Sequence, residues 1–556
     1  MGEKILIGVA WPYASGPLHL GHLAGAYLPA DIFARYHRTR GDEVLMVSGS
    51  DEHGTPITIK ADEEHISPAE VAKKYHDQFI ETFKKLGISF DLFTGTSTEN
   101  HIKTSQEFFL TLLDKGLIYK ARVMQPYCPN CERFLPDRYV EGICPLCGAP
   151  GARGDQCDAC GKPLDTINLK EPKCRLCRTR PEFKESEHFF FKLSAFQDRL
   201  LGWLKDKNYW RPNVITFTRH YLEGGLEDRA ITRDMEWGIP IPLEGYEGKR
   251  IYVWFEAVIG YLSASKEWAE IHGKPEAWRD FWVKDAKVYN FIGKDNIIFH
   301  TIIWPAMLMG VGGLNLPYDV PANEFLNLES RKFSKSHHWA VWLPDYLSRY
   351  SPEPLRYLLS ANMPETGDTD FAWSEFVRRN NDELVATYGN LAHRVLTFTY
   401  RNYNGAIPEP KELDGRSREI IDLAHGTLKA MDEHLYRCHF KDAIRAAMGL
   451  AQQANRYLDE KSPWKVIKQD KALAATALYT AICVLTALRT AMYPFLPASS
   501  EKLSEYLGFS GSIESFGWKL ELPQPGQKLV QPQPLFTKLD DSIVDEENRR
   551  LLEGKS

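Results

Sequence analysis

The sequence predicts an α/β fold in which a doubly wound parallel sheet is split by an insertion and followed by a helix bundle. Short apolar runs such as "ILIGVA" and "EVLMVSG" alternate with helical stretches such as "SPAEVAKKYHDQFIETFKKLG". A parallel sheet with crossover helices produces this pattern. The alternation resumes at "RIYVWFEAVIGYL" after a cysteine-rich segment, and from about residue 376 apolar residues recur at helical spacing, as in a bundle.

These changes of pattern divide a chain of 556 residues, which is too long for one core, into six segments. They are a first α/β half (1–114), an insertion (115–225), a second α/β half (226–320), a linker subdomain with a Ser- and Lys-rich loop (321–376), a helix bundle (377–525) and a tail (526–556). The tail is rich in Pro and Gln and is expected to pack as extended chain.

The composition is that of a globular protein, with 43% hydrophobic and 12% aromatic residues. No run approaches eighteen apolar residues and the first ten residues lack the layout of a signal peptide, so a cytoplasmic location is expected. The formal net charge of −6 argues against non-specific coating of nucleic acid. A local basic patch, "KEPKCRLCRTRPEFK" (170–184), keeps a nucleic-acid partner possible, although such a run is also typical of a solvated face.

The stretch "AWPYASGPLHLGH" (10–22) places two histidines, His19 and His22, at the start of a helix that follows a strand and a tight turn. A helix N-terminus suits phosphate, and residues three apart share one face. Gly21 removes a side chain between them, so that a flat group such as adenine can lie against the backbone. Taken alone, the motif fits surface histidines or a two-histidine metal site equally well.

A second motif, "ESRKFSKSHHWAVW", places Lys332 and Lys335 in a small, Ser-rich loop far downstream. Two lysines three apart on such a loop can balance the charge of a leaving pyrophosphate. Taken alone, they would be a solvated charge cluster.

Together, "HLGH" and "KFSKS" resemble the two signatures of class I aminoacyl-tRNA synthetases, HIGH and KMSKS, with apolar replacements at Leu20 and Phe333. Further segments are similar to the methionyl-tRNA synthetase family, in order and over nearly the whole chain: "SGSDEHGTPI", "ITRDMEWGIPIP", "YVWFEAVIGY", "FIGKDNIIFH" and "ANRYLDEKSPW". The "KFSKS" form and four cysteine knuckles resemble the archaeal-type branch. The resemblance implies a Rossmann-like catalytic domain split by the insertion, followed by an all-α anticodon-binding domain.

The resemblance also implies site residues. It assigns catalysis to His19, His22, Lys332 and Lys335, and ATP binding to His19, Gly21, His22, Gly293, Asp295 and Lys335. It assigns methionine binding to Ala10, Trp11, Tyr13, Asp51, Trp254, Ala257, Val258, Tyr261 and His300. Asp51 would hold the ammonium, with a helix cap as the alternative. Trp254, Ala257, Val258 and Tyr261 are spaced as one helix face, which plain core packing would also explain, and Val258 stands where the family commonly has proline.

The implied reaction is ATP-dependent activation of methionine to methionyl-adenylate, followed by transfer to the terminal adenosine of tRNA(Met), with Mg²⁺ accompanying ATP. Asn390, Arg394 and Trp464 would read the anticodon, Pro463 stopping the helix and leaving Trp464 beyond it. A core tryptophan is the alternative. The chain reaches Ser556 without the C-terminal tRNA-binding domain of some relatives, so a monomer is expected, with a separate tRNA-binding partner protein as the open alternative.

Eight of the ten cysteines form four CxxC pairs, which in a large chain without an export signal indicate structural zinc rather than disulfides. One or two ions are expected. The resemblance favours nested pairing, with Cys144, Cys147, Cys157 and Cys160 around one ion and Cys128, Cys131, Cys174 and Cys177 around another. Sequential pairing is the alternative.

Two other functions remain open from the sequence. A class I synthetase for isoleucine, valine or leucine would carry a large editing insertion, whereas this insertion is short and cysteine-rich. A catalytically silent RNA-binding paralogue would not need the intact signature histidines and lysines.

Overall fold

The centre of the protein is a five-stranded parallel sheet. The computed structural model describes residues 2–154, 157, 159–160, 164, 166–333 and 339–554. In spatial order the strands are Ala322–Asn323, Lys287–Gly293, Lys4–Val9, Glu43–Ser50 and Leu92–Gly95. The three long strands are almost wholly buried, because helices cover both faces of a parallel sheet.

Helices between these strands form the two covering layers. The strongest sequence signal belongs to Pro68–Leu86, where Ser67 and Glu70 form a capping box and Gly87 ends the helix with φ 69°. The helices of this part are Leu20–His22, Leu28–Arg40, Thr55–Glu64, Pro68–Leu86, Glu99–Asp114, Gln197–Leu204, Pro212–Glu223, Val253–Glu256, Gly260–Ile271, Arg279–Trp282, Trp304–Val311, Leu343–Arg349 and Pro352–Ala361. Short π-helical stretches at Leu23–Tyr27 and Phe299–Ile303 each lead into the next helix.

The insertion contains more strand than its sequence indicated. Strand Ile118–Cys128 pairs antiparallel with Glu182–Phe191 along ten residue pairs, flanked by Arg133–Phe134 and Arg229–Ala230. Its side chains are mostly half-buried or exposed, so no apolar face stands out in the sequence. A small sheet of Val140–Ile143, Ala152–Arg153 and Lys170–Cys174 carries the cysteine knuckles.

The second α/β half also differs from the prediction. Residues 229–251 form short antiparallel pairings, among them Thr232–Asp234 and Ile239–Pro240 with Lys249–Ile251, and the parallel sheet resumes only at Lys287. Another small sheet, of Leu326–Leu328, Arg331–Lys332 and Thr369–Phe371, leads into the Ser- and Lys-rich loop.

The C-terminal third is a helix bundle followed by extended chain, as predicted, and then by one further helix. Its helical segments are Trp373–Arg378, Arg379–Gly389 (π-helical), Asn390–Asn402, Gly415–Tyr436, Phe440–Lys461, Pro463–Val466, Lys471–Met492, Pro497–Tyr506, Ile513–Phe516 and Ser542–Leu552. Lys471–Met492 is long and apolar enough to cross a membrane, but 78% of its most apolar window is buried inside the protein. It is therefore the core helix of the bundle.

The bundle packs directly on the helix that follows the signature histidines. The Tyr36 hydroxyl, on Leu28–Arg40, donates to the Asp432 carboxylate at 2.6 Å. Asp31 on the same helix is fully buried against the Arg356 guanidinium at 2.6 Å. A buried charge needs such a partner. Arg356, on helix Pro352–Ala361, also donates to the carbonyls of Pro494 and Phe495, so its guanidinium connects the sheet domain to the bundle.

Candidate active site

A cavity of about 420 Å³ opens at the carboxyl ends of strands Lys4–Val9 and Lys287–Gly293. The sheet order reverses between these two strands, since the chain continues outward to Glu43–Ser50 on one side and to Ala322–Asn323 on the other. Open α/β sheets bind ligands at such a reversal. The lining residues are Ala10, Trp11, Pro12, Tyr13, His19, Gly21, His22, Gly25, Ala26, Tyr27, Gly293, Asp295, Asn296, Glu324, Phe325, Leu326, Asn327, Lys332 and Phe333.

His19 and His22 cap their own helix with their rings. The Gly21 N–H donates to Nδ1 of His19 at 3.1 Å, and the His19 N–H donates to Nδ1 of His22 at 3.0 Å. A neutral imidazole whose Nδ1 accepts carries its proton on Nε2. The backbone therefore selects the tautomer of both rings, and each Nε2–H is a donor. The rings stack with centroids 3.7 Å apart, which brings the two donors close together.

The start of the "KFSKS" segment brings one more predicted residue, Lys332, to this cavity, together with Phe333. Phe333 stacks on His19, with centroids 4.8 Å apart and planes 11° apart, and exposed Lys332 lines the cavity. After the loop, Trp342 forms a β-bridge with His19. Lys335, which the sequence predicts to be catalytic and to bind ATP, lies outside the described residues.

The strand end at Gly293 forms the opposite wall. A Cβ atom at Gly293 would lie 2.8 Å from Oδ1 of Asp295, so a larger residue there would displace the Asp295 carboxylate. Asp295 is exposed and lines the cavity beside Gly293. Sequence reasoning missed Glu324, which also lines the cavity and accepts from the Lys294 ammonium at 2.7 Å. Its position directly after strand Ala322–Asn323 was the available signal.

Trp11 forms the floor of the cavity near strand Glu43–Ser50. Its ring lies so close to two glycines that a Cβ atom would be 2.4 Å away at Gly49 and 2.7 Å away at Gly260. The Trp11 Nε1 atom is buried and has no hydrogen-bond partner among the described residues. Ala10 and Tyr13 line the same cavity, and Tyr13 also lines a narrow cleft with Trp254.

Asp51 lies behind this wall rather than on it. Its backbone N–H donates to the Pro12 carbonyl at 2.8 Å, and its carbonyl accepts from Ala14 at 2.8 Å. The carboxylate is buried, and Oδ1 has no partner in the part of the chain that the structure describes. Burial, together with the charge of Glu256, raises the pKa of Asp51 well above its usual value. A buried carboxyl with one oxygen unpaired is suited to a cationic ligand.

His300 and Tyr261 form a second buried pair. The Tyr261 hydroxyl lies 2.7 Å from Nε2 of His300, whose Nδ1 lies 2.9 Å from the Asn296 carbonyl. Burial lowers the pKa of His300 to about 4, so the ring is neutral at pH 7, Nδ1 donates and Nε2 accepts. Two hydrogen bonds therefore hold the uncharged His300 ring in a fixed orientation.

The predicted helix face of Trp254, Ala257, Val258 and Tyr261 is interrupted. The chain forms a helix at Val253–Glu256, a 3₁₀ turn at Ala257–Ile259 and a new helix at Gly260–Ile271. Trp254 is 46% exposed, whereas Val258 and Tyr261 are buried. Core packing therefore does not explain Trp254, the first residue of this predicted face.

Two family models cover the chain. The model described as tRNA synthetases class I (M) matches residues 5–396, and the anticodon binding domain of methionyl tRNA ligase matches residues 407–555. A methionine–tRNA ligase from Dehalococcoides mccartyi is 64% identical over 551 residues, which cover 99% of this chain and 100% of the relative.

The chain belongs to the methionyl-tRNA synthetase family.

Other relatives of this family agree with the assignment. A methionine–tRNA ligase from Thermomicrobium roseum is 52% identical, covering 99% of both chains. The solved structure of Mycobacterium tuberculosis methionyl-tRNA synthetase in complex with methionyl-adenylate has a TM-score of 0.80 and 26% identity, covering 96% of this chain and 100% of that one. The predicted fold class, a Rossmann-like catalytic domain with an insertion and a helical anticodon-binding domain, is confirmed.

The eight paired cysteines of this synthetase form two separate groups with the nested arrangement. In one group, Sγ of Cys128 is 3.3 Å from Cys177 and Sγ of Cys131 is 4.0 Å from Cys174. In the other, Cys144 is 4.0 Å from Cys160 and Cys147 is 3.7 Å from Cys157. All four sulfur atoms of each group lie within 4.8 Å of one another.

The predicted anticodon residues lie together on the helical domain. The Arg394 guanidinium is 4.3 Å from the centre of the half-buried Trp464 ring, and Asn390 is exposed one turn earlier on the same helix. The helix Phe440–Lys461 ends at its C-cap Ser462, with φ 40°, directly before Pro463, so Trp464 lies beyond that helix as predicted. Pro463 also begins the next short helix, which contains Trp464. Proline is tolerated there because the first helical N–H needs no partner.

Proposed function

We propose that this chain is a methionine–tRNA ligase that works at the cavity described above in two steps, an adenylyl transfer and an acyl transfer. In the first step a methionine carboxylate oxygen attacks the α-phosphorus of ATP, forming methionyl-adenylate and releasing pyrophosphate. In the second step a hydroxyl of the 3′-terminal adenosine of tRNA(Met) attacks the adenylate carbonyl, and AMP leaves. Positioning and charge stabilisation supply the rate, so no side chain acts as a nucleophile.

His19 and His22 hold the phosphates of ATP. Their Nε2–H groups are donors, because the backbone occupies both Nδ1 atoms. Lys332 and Lys335 balance the charge that develops on pyrophosphate as the bond to the α-phosphorus breaks. Mg²⁺ that accompanies ATP neutralises phosphate charge.

ATP also uses the two strand ends that frame the cavity. Gly21 and Gly293 leave room for the nucleotide beside the backbone, and Asp295 accepts from a ribose hydroxyl. Support for this role is that Asp295 is an exposed acid at the carboxyl end of a parallel strand, where nucleotide-binding sheets carry one.

Methionine lies between the buried acid and the neutral imidazole. Asp51 pairs with the ammonium, while the Tyr261–His300 pair borders the thioether, which favours aromatic neighbours over charge. The unpaired Oδ1 of Asp51 and the neutral state of His300 support this direction of binding. The walls are completed by Ala10, Trp11, Tyr13, Trp254, Ala257 and Val258.

Each cysteine group binds one structural zinc ion. Zinc–sulfur bonds of ~2.3 Å in a tetrahedron separate neighbouring sulfur atoms by ~3.8 Å. The measured separations of 3.3–4.0 Å fit that spacing. Four thiolates close the coordination sphere, so the ions hold the insertion in shape and leave no position for substrate.

The helical domain reads the anticodon of tRNA(Met) through Asn390, Arg394 and Trp464. An unstacked base can lie on the indole while the amide and guanidinium form hydrogen bonds to its edge.

We assign the catalytic halves to 1–114 and 226–320, the zinc insertion to 115–225, the loop subdomain to 321–376, the anticodon domain to 377–525 and the tail to 526–556. The protein acts in the cytoplasm as a monomer.

The observation that carries the proposal is that His19 and His22 of "HLGH" line one cavity with Lys332 and Phe333, at the reversal point of the sheet. Methionine-dependent ATP–pyrophosphate exchange, assayed with each of the twenty amino acids, tests it. We expect exchange with methionine. Exchange with none would favour the silent RNA-binding paralogue, and a preference for isoleucine, valine or leucine would indicate another class I synthetase.

A further inference from the structure

The carboxylate of Glu256 lies at the centre of a hydrogen-bonded network that the proposed reaction does not use. The side chain is fully buried on the short helix Val253–Glu256. Oε1 lies 2.9 Å from Nδ1 of His53, and Oε2 lies 2.6 Å from Nε2 of His101. Burial alone would raise the pKa of Glu256, but the two imidazoles outweigh it and lower that pKa, so the group is a carboxylate.

The network joins three elements that surround the site for the amino acid. His53 comes two residues after Asp51 in the loop after strand Glu43–Ser50. His101 lies on helix Glu99–Asp114, and its Nδ1 is 2.8 Å from the hydroxyl of Ser263, which is on the same helix, Gly260–Ile271, as Tyr261. Two histidines on one buried acid are more than packing requires, because each of the polar groups costs free energy to bury.

The same carboxylate also acts on Asp51 through its charge. The groups that face Asp51 are Glu256 from the short helix, Glu52 and the His53 N–H from its own loop, and Tyr13 from the turn after the first strand. Glu52 is occupied elsewhere, since Oε1 accepts from Ser50 at 2.7 Å and Oε2 accepts from the Ser97 N–H at 3.1 Å. Glu256 is thus the acid whose charge reaches Asp51 most strongly.

We propose that Glu256 is a positioning residue for the substrate ammonium, which holds the Asp51 loop through His53 and places a second negative charge behind Asp51. The inference rests on the proposed function, in which Asp51 binds the ammonium of methionine. A cation brought next to Asp51 then relieves the repulsion between two buried carboxylates, so part of the affinity for an amino acid comes from a residue that does not touch it.

Glu256→Gln tests the proposal in the full-length enzyme. We expect the KM for methionine in pyrophosphate exchange to rise by roughly 10- to 100-fold, with kcat and the KM for ATP changing less than about threefold, because the lost interaction concerns binding of one group. The inhibition constant of 4-(methylthio)butanoic acid, which is methionine without its amino group, should stay unchanged. If Glu256→Gln weakens the binding of methionine and of this analogue equally, Glu256 has only a structural role and the proposal is wrong.

The pH profile gives a readout that packing alone would not move. Removing a like charge lowers the pKa of Asp51, so the acid limb of kcat/KM for methionine should shift to lower pH in Glu256→Gln. Ser263→Ala removes the outer bond to His101 and a bond to the Gly260 carbonyl but leaves Glu256 in place, so it should not shift that limb. If Glu256→Gln fails to fold, His53→Asn should still raise the KM for methionine and leave the inhibition constant of 4-(methylthio)butanoic acid unchanged. An unchanged profile with unchanged KM would refute the inference, whereas a wild-type enzyme without methionine exchange would refute the proposed function instead.

Discussion

Phe333 of the "KFSKS" segment stacks face to face on His19 of the "HLGH" segment, with ring planes 11° apart. The two motifs are more than 300 residues apart in the chain, yet one ring contact joins them directly. The family signature has methionine at the position of Phe333, a side chain that can also lie against an imidazole. The contact therefore links the start of the "KFSKS" segment to the ring that we propose holds a phosphate of ATP.

Loss of this stack should slow activation without weakening methionine binding. We expect Phe333→Ala to lower kcat for exchange by roughly two- to tenfold, the worth of an aromatic pair of about 0.5–1.5 kcal/mol. Phe333→Met is the matched control and should retain most of the activity. A larger effect on the KM for methionine than on kcat would show that the ring serves the amino acid and not the phosphates.

Lys335→Ala should slow adenylate formation far more than it weakens methionine binding. Charge on pyrophosphate develops only in the transition state, so the lost contact is differential and kcat should fall by roughly 100-fold or more. Steady-state exchange kinetics measure this, with Lys73→Ala on an exposed helix face as the control for loss of a lysine. A raised KM for methionine with kcat unchanged contradicts the role of Lys335.

Each cysteine group should account for one metal ion independently. Elemental analysis should find two zinc ions per wild-type chain and about one in either Cys131→Ser or Cys147→Ser, because each change removes a ligand from a different tetrahedron. Cys483→Ala, in the bundle core, should retain both ions. A chelator should disorder residues 128–177 before the bundle, since knuckles of this size fold only with their ion. Absence of zinc together with disulfide-bonded cysteines would overturn the assignment.

Trp464→Ala should impair recognition of tRNA and leave activation intact. A base stacked on an aromatic ring is worth roughly 1–3 kcal/mol, so kcat/KM for tRNA(Met) should fall by about 5- to 150-fold. Exchange without tRNA should be nearly unchanged, because the cavity belongs to the sheet domain. Trp518→Phe is a matched control for loss of a bundle indole, since Trp518 packs on Tyr36 at the domain junction. Normal charging by Trp464→Ala, or loss of exchange together with charging, would exclude an anticodon role.

The sequence predicts secondary structure best where periodicity or a helix cap alone decides the local conformation. The strand "KILIGV", the capping box at Ser67 and the histidine helix follow from period and capping, and the structure has each of them. The hairpin Ile118–Cys128 with Glu182–Phe191 was missed, because its partners are more than fifty residues apart and its side chains are mostly not buried. Pro463 predicts the end of the helix before it but not the short helix Pro463–Val466, because proline is also compatible with the first turn of a new helix.

The site residues also divide into those that a local motif predicts and those that only the tertiary fold brings together. Motifs located the cavity residues from Ala10 to His22 and at Gly293 and Asp295, since sequence spacing decides which residues stand at a strand end or a helix start. The His53–Glu256–His101 network carries no spacing signal of its own, because only the tertiary fold brings its members together. Glu324 has a weaker signal, its position directly after strand Ala322–Asn323. Nested rather than sequential grouping of the cysteines is also a tertiary property.

Single-turnover formation of methionyl-adenylate tests the central claim most directly. The enzyme, in excess over methionine and ATP and without tRNA, is quenched in acid, and the product is identified by its mass. The account predicts stoichiometric methionyl-adenylate and pyrophosphate, and their loss in a His22→Ala variant that keeps its zinc. No adenylate from methionine, or faster formation of another aminoacyl-adenylate, would contradict it.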